Sequence, residues 1–336
     1  MSTFRWKVGV TLAAMACVAV GSLGWASRPV QPGAGPGSGE APTTPVSSRP
    51  APPAVVEEHL ELGHGDEPGP PPHDAVGARY PTGLTLNGAT PHRILFFSFD
   101  DGPSRRTTPA LLDMLDQLGI RALFFVTTES FGDGNPWERE HAEIVQEIVD
   151  RGHILGNHTE THRQLPLLRN AQIEEELRRS ERKIEHAIGL RPRLIRPPGG
   201  ALSDRVSRLL AAHGYTSVLW SVYTGDLEVD TADDVVRTFF RVLKRRERET
   251  GDRGGIVLLH DTQRHSLDAM PRLVDALRRR NCELLARGEE LYDIVGDLGY
   301  FIPGHPPPEP LEERQARLVE RTERDCAALA LRDGPW

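Results

Sequence analysis

Two aspartates stand side by side, Asp100 and Asp101, at the end of the apolar run Ile94-Leu-Phe-Phe-Ser-Phe and directly before a Gly-Pro turn. Adjacent carboxylates repel each other and need water, a basic side chain or a cation close by. Two imidazoles four residues apart, in His158-Thr-Glu-Thr-His162, are placed to meet that need. On one turn of helix they share a face and present two nitrogens to one metal, although the pair alone also fits two polar histidines near a loop. Glu160 falls off that face, which separates the segment from the metalloprotease pattern with its catalytic Glu next to the first His. With Asp101 the set becomes two histidines and one carboxylate, leaving positions open for water and substrate as a catalytic zinc-type site requires. A cation there keeps Asp101 ionised as a ligand and leaves Asp100 free as a base.

The segments carrying these residues alternate in texture. Apolar runs at 94–99, 122–127, 154–157, 194–196, 217–222, 256–259 and 282–285 read as strands, and the first is uninterrupted enough to be buried on both faces. Between them lie helical patterns with glycine stops: 109–118 before Gly119, 141–151 before Gly152, 171–188 before Gly189, 204–213 before Gly214 and 232–248 ahead of Gly251. Thr108 with Pro109 behind it, Ser203 and Thr231 are the expected helix starts. Strand and helix in alternation mean parallel pairing, in either a doubly wound sheet or a closed β/α barrel. Both architectures gather active groups at the carboxyl ends of strands. Asp100, Asp101, His158, Arg196, Asp226 and His260 all follow predicted strands, so they converge on one rim. Simpler readings stand beside this one: Arg196 as a structural ion-pair partner, Asp226 as a turn residue and His260 as a loop histidine. His213 and His265 read as surface or packing residues.

The chain has 336 residues with 38% hydrophobic content, enough for a sizeable core. Its 48 acidic and 40 basic residues give a net charge of −8, which argues against a nucleic-acid track. Arg5 and Lys7 precede an apolar stretch from Val8 to about Trp25, followed by the small residues Ala26 and Ser27. This is the layout of a secretory signal peptide at 1–26, with an uncleaved membrane anchor as the competing reading. Cys17 within it makes a lipoprotein a minor option. Residues 27–85 are dense in Pro, Gly and Ser and read as a disordered tether, with His59, His64 and His73 as solvated linker rather than a metal-trapping tract. The catalytic domain is expected at 90–303. A charged helical tail follows at 304–336, with Leu311, Leu318, Ala328 and Leu331 as its sparse apolar face. Cys282 and Cys326 either pair in an oxidising compartment or remain two buried thiols.

The motif residues resemble the polysaccharide deacetylases of carbohydrate esterase family 4, which share the NodB homology domain. That family's T-F-D-D-G-P is matched by Ser98-Phe-Asp-Asp-Gly-Pro103, its H-[S/T]-x-x-H by His158 to His162, its R-x-P-x-G by Arg196-Pro-Pro-Gly-Gly200 and its L-x-H by Leu258-Leu-His260. The resemblance implies a single catalytic domain folded as a distorted (β/α)7-type barrel with parallel strands. It also implies metal-dependent removal of acetyl from N-acetylated sugars of an envelope or extracellular polysaccharide. Asp101, His158 and His162 would hold the metal, zinc first, with cobalt or nickel as alternatives. Asp100 would be the general base, His260 the general acid, Asp226 its charge partner and Arg196 part of the network that orients the base. Leu258 would line the acetyl pocket, and an amide of the Gly199 to Gly200 turn would meet the oxyanion.

The chain departs from the family's D-x-x-D-W at Tyr223-Thr-Gly-Asp226-Leu227, where Tyr replaces the first Asp and Leu the Trp. Gly199 stands where the family commonly has an aromatic residue, so the pocket walls at Leu227 and Gly199 are altered. An O-acetyl esterase uses the same machinery, and a catalytically silent carbohydrate-binding protein on the same fold is the reading from a different class.

Overall fold

Strand β3 (Ile94–Asp100) is buried along its whole length, as its unbroken apolar run predicts, and the sheet extends outward from it on both sides. The computed structural model describes residues 74–333 apart from Asp133, and these belong to one unit. The expectations for residues 1–73, including the signal segment and its Cys17, most of the tether and its three histidines, lie outside the described residues.

Seven parallel strands form the body of the fold. Their order is β7 (Thr216–Val218), β6 (Leu194–Ile195), β5 (Ile154–Asn157), β4 (Leu123–Val126), β3, β9 (Gly254–His260) and β8 (Val222–Tyr223). β7 and β8 are neighbours in the chain yet lie at opposite ends of this order, so the predicted single strand at 217–222 is broken in two. The break sits at the barrel seam. There β1 (Thr85–Leu86) pairs parallel with β7, β2 (Ala89–Thr90) pairs antiparallel with β9, and Leu219 N–H donates to the Leu86 carbonyl at 2.8 Å. A further short strand, β10 (Asp293–Ile294), runs beside the start of β3. This is the distorted (β/α)7-type barrel that the motif resemblance implies.

Alternation along each strand places the chemistry. In β3, Leu95, Phe97 and Phe99 join a core cluster with helices α1 (Thr108–Leu118), α5 (Ala232–Thr250) and α6 (Arg264–Ala286). Ile94 and Phe96 join a second cluster with Phe125, Leu194, Val218 and Ile256. Side chains two apart share a face, so Ser98 and Asp100 continue the face of Ile94 and Phe96. On β9, Leu258 and His260 continue the face of Ile256 in the same way.

Helices α2 (Pro136–Asp150), α3 (Asn170–Ile188) and α4 (Asp204–Ala212) complete the alternation. Ser203 and Thr231 cap α4 and α5 as expected, accepting from Val206 N–H at 3.3 Å and Asp234 N–H at 3.2 Å. Thr108 does not cap α1: Thr107 holds that position, and the Thr108 hydroxyl turns to Asp261 instead.

Three other expectations are corrected. The run 282–285 is the last turn of α6, whose buried Leu273, Leu277 and Leu284 recur at helical spacing; four apolar residues are too few to separate strand from helix. The tether expected to reach residue 85 stops earlier, because Ala75, Val76, Tyr80 and Leu86 are buried and Leu298 N–H donates to the Tyr80 hydroxyl at 3.2 Å. The tail helix α7 (Leu311–Asp333) docks on α6, but its buried stripe is Leu318, Thr322, Asp325 and Leu329 while Leu331 is exposed. A Cys282–Cys326 disulfide, with Cα atoms 5.7 Å apart, joins α6 to α7.

Candidate metal centre and active site

Asp100 ends β3 on its inward face, and its buried Oδ1 accepts a hydrogen bond from Arg196 Nη1 at 2.6 Å. Arg196 follows β6 and is itself fully buried, which lowers its pKa while Asp100 opposes the shift. Each of its three nitrogens donates: Nη1 also reaches Ser98 Oγ at 2.9 Å, Nε reaches the Val218 carbonyl at 2.9 Å and Nη2 the Leu219 carbonyl at 3.3 Å. The guanidinium lies over the Phe125 ring, 4.2 Å from its centroid. The structural ion pair weighed for Arg196 therefore exists, and its partner is Asp100 itself.

Asp101 takes a left-handed backbone conformation with φ 72°. The chain turns there, and the second carboxylate faces a different set of partners from the first. Its Oδ1 lies 3.4 Å from His158 Nε2 and 3.2 Å from His162 Nε2, while Oδ2 lies 3.9 Å from His260 Nε2. Burial opposes ionisation of Asp101, but the two imidazoles outweigh it and hold the carboxyl well below the usual carboxylate range.

His158 and His162 do not sit on a helical turn. They occupy a tight loop after β5 in which Thr159 and His162 have φ of 72° and 55°. The Asn157 side chain makes this loop, its Oδ1 accepting from Thr159 N–H at 2.8 Å, and the loop brings the two rings to 4.9 Å between centroids. His158 Nδ1 donates to the backbone carbonyl of Arg196 at 2.6 Å. A carbonyl only accepts, so Nδ1 carries a proton, and Nε2 is the nitrogen turned toward Asp101.

The donor atoms of Asp101, His158 and His162 lie within 4.8 Å of one another. Three donors at zinc-ligand distances of about 2.0–2.2 Å surround one ion at this scale. Asp101 Oδ1 is also a buried oxygen with no hydrogen-bond partner among the described residues. A buried carboxylate oxygen without a hydrogen-bond partner, flanked by two imidazole nitrogens, fits a cation.

His260 ends β9, facing Asp100 in the strand register. Its Nδ1 lies 3.0 Å from Asp226 Oδ1, and Asp226 Oδ2 accepts from His260 N–H at 2.7 Å and from Ser266 Oγ at 2.6 Å. Burial works to lower the His260 pKa, yet Asp226, with Asp100 and Asp101, raises it above the ordinary value. Asp226 is thus more than a turn residue and His260 more than a loop histidine. His265 is half-buried, with Nε2 2.5 Å from the Asp226 carbonyl, and packs behind this pair.

Other predicted residues stand as follows. Leu258 is buried two places before His260. Leu227 is 52% exposed, and Tyr223, half-buried, has its hydroxyl pushed upward by burial and by Glu228 beside it. Gly199 is in a left-handed turn at φ 64°, which suits a glycine. Gly200 N–H is already committed to the Pro197 carbonyl at 2.8 Å, so of the two amides expected there Gly200 is not available to substrate.

Sequence reasoning missed Ser266, Glu176 and Asp261. Ser266 and Glu176 carry no local signal. Asp261 was visible next to His260, but its partners lie across the fold. Its carboxyl is buried, accepts from Thr108 Oγ1 at 2.5 Å and is pushed up to about 7 by burial, with Asp100 and Asp101 adding and Thr108 opposing. It fills the space beside Gly102, where a Cβ would lie 2.0 Å from Asp261 Oδ2.

A family model described as polysaccharide deacetylase matches residues 87–218. The chain is 30% identical over 207 residues to a chitooligosaccharide deacetylase of Bradyrhizobium sp. (strain ANU 289), covering 57% of this chain and 88% of that protein. It is 31% identical over 218 residues to a chitin deacetylase of Arthroderma benhamiae, covering 63% of this chain and 56% of the other. The chain spans between 53% and 64% of the length of three curated relatives of this kind. The solved chitin deacetylase of Colletotrichum lindemuthianum shares the fold, with a TM-score of 0.55 at 23% identity, over 68% of this chain and 95% of that one.

Proposed function

The chain belongs to the polysaccharide deacetylase family, and from that membership we propose a metal-dependent hydrolase that removes acetyl groups from N-acetylated sugars of an envelope or extracellular polysaccharide. The observation that carries this reading is the division of the two adjacent aspartates. Asp101 faces His158 and His162, while Asp100 is held by Arg196.

In this reading Asp101, His158 and His162 hold a divalent ion, zinc first and cobalt or nickel next. Bound there, such an ion polarises the acetyl carbonyl and acidifies water. Asp100 takes the proton of the attacking water, and its hydrogen bond to Arg196 fixes which oxygen remains free to do so. His260 gives a proton from Nε2 to the departing amine, with Asp226 holding Nδ1–H and stabilising the imidazolium. Burial works against the charged ring, but Asp226, with Asp100 and Asp101, raises the His260 pKa and so favours the protonated imidazole that an acid needs. Leu258 receives the acetyl methyl, and the Gly199 amide serves the developing oxyanion. Peptidoglycan and chitin-like polymers are the proposed substrate class.

Export is part of the proposal. The Cys282–Cys326 disulfide supports an oxidising compartment, since such bonds persist mainly outside the cytosol. Among the described residues no helix is long and apolar enough to cross a membrane; membrane contact through the N-terminal segment is proposed from its apolar sequence, Val8 to about Trp25.

The test is acetate release by the purified protein from peptidoglycan, N-acetylglucosamine oligomers and acetylated xylan, repeated after chelation and with each metal restored. Metal-dependent release from the N-acetylated polymers supports the reading. Release from xylan alone replaces it with an O-acetyl esterase, and no release from any polymer removes it.

A further inference from the structure

One face of α3 carries a polar stripe that the chemistry above does not use. Glu176, Ser180 and Lys183 are spaced four and three residues apart, so they lie along one side of the helix. Such positions on a packed helix are normally apolar, and here Glu176 is 7% exposed and Ser180 is fully buried. Each member of the stripe meets one residue of the loop that bears His158 and His162.

The contacts are specific. Glu176 accepts twice from Thr161, at 2.8 Å from its N–H and 2.6 Å from its hydroxyl. Ser180 Oγ accepts from Asn157 Nδ2 at 2.7 Å, and the other end of that same amide receives Thr159 N–H. Lys183 Nζ lies 3.1 Å from Glu160 Oε1 and donates to the Thr128 carbonyl at 2.7 Å, while Thr128 Oγ1 donates to Glu160 Oε2 at 2.7 Å. The loop is therefore fastened at Asn157, where it leaves β5, and between the histidines at Glu160 and Thr161.

That fastening has work to do. Thr159 and His162 hold left-handed backbone conformations, each costing on the order of 1 kcal/mol or more for a residue with a Cβ. His162 is the more exposed of the two histidines, with a side chain 47% accessible against 2% for His158. Released from α3, the loop has every reason to relax, and His162 is the donor that would swing away from Asp101.

We propose that the Glu176, Ser180 and Lys183 stripe of α3 is a positioning device that holds the His158 to His162 loop in its metal-ready shape, so that metal affinity depends on residues that never touch the metal. The inference rests on the reading of Asp101, His158 and His162 as metal donors. Residues behind donors of this kind typically change affinity by about 10–100-fold when removed.

The test is zinc binding by the full chain, measured by competition with a chromophoric chelator, alongside thermal unfolding of the metal-free protein. Glu176→Ala is expected to weaken zinc binding about 10–100-fold, with kcat at saturating zinc and substrate KM changing far less. Thr161→Val, which removes only the hydroxyl, is expected to weaken it by a smaller factor, and Lys183→Met likewise. Exposed Glu174→Ala should bind as the wild type does. Zinc affinity unchanged in folded Glu176→Ala and Thr161→Val overturns the inference; if Glu176→Ala does not fold, Thr161→Val and Lys183→Met decide it. A wild-type chain that binds no zinc, cobalt or nickel overturns the metal reading beneath it instead.

Discussion

The backbone carbonyl of Arg196 accepts a 2.6 Å hydrogen bond from His158 Nδ1. The same residue sends its guanidinium to Asp100 Oδ1, also at 2.6 Å. One residue thus orients a candidate metal donor through its main chain and the candidate base through its side chain. The two functions separate on mutation. Arg196→Met keeps the carbonyl but leaves the Asp100 carboxylate buried and unpaired, a loss of about 3–5 kcal/mol in stability. Chemical denaturation should show that loss, and kcat should fall at least tenfold, while the zinc affinity of the folded fraction stays within a few-fold of wild type.

Asp100→Asn separates catalysis from binding. Loss of a general base lowers kcat by about 10²–10⁴-fold, while zinc and polysaccharide binding should persist. Single-turnover acetate release and a sedimentation assay with insoluble polymer measure the two. A carbohydrate-binding protein without activity would show the same binding for both chains and no turnover for either.

Gly102→Ala tests a close approach. The new Cβ would fall 2.0 Å from Asp261 Oδ2, so either the Asp100 to Pro103 turn or the buried carboxyl must move. Zinc affinity and kcat should both drop by at least tenfold. Shortening the opposing residue in Gly102→Ala/Asp261→Ser should recover part of both, and a double variant no better than the single one would contradict this account.

Acid should destabilise the fold through His153. Its ring is buried against Phe124 and accepts from Ala122 N–H, and burial, with Arg151 and Arg121 adding, pushes its pKa down to about 3. The unfolded chain takes up the proton near pH 6.5. Between about pH 6.5 and 3 the unfolded state therefore binds one more proton, and stability falls as pH falls, by up to about 1.4 kcal/mol per pH unit. Urea midpoints across that range should show a shallower slope in His153→Gln than in wild type.

Reducing the Cys282–Cys326 bond should cost about 4 kcal/mol from the freed 44-residue loop. Thermal unfolding with and without reductant reads this directly. Activity at 25 °C should stay near wild type, because none of the proposed catalytic groups lies on α7.

Much of the site was legible because strand ends and their polar residues are local features. An apolar run closed by Asp-Asp-Gly-Pro, the His158 and His162 spacing, and His260 two places after Leu258 can all be read along the chain. Period-two alternation then puts Asp100, Leu258 and His260 on the inward face without any coordinate. The helices were legible for a similar reason, since apolar spacing and terminal glycines mark them. The run at 282–285 misled because a short apolar segment carries no period of its own; it is the end of the longer helical pattern that includes Leu273, Leu277 and Leu284.

Sequence by itself determined which side chains end the strands, which face they take and which set of them suits a metal and an acid–base pair. Tertiary structure decided how they are partnered: Asp100 with Arg196 at one oxygen and near His158 at the other, Asp226 with both His260 and Ser266, Asp261 against Gly102, and α3 behind the His158 to His162 loop. The physical reason is the range of the interactions. Alternation, capping and turn geometry act between residues a few places apart and are written into local composition. A hydrogen bond between residues 96 positions apart, as between Asp100 and Arg196, depends on strand order and register, which exist only once the barrel is built.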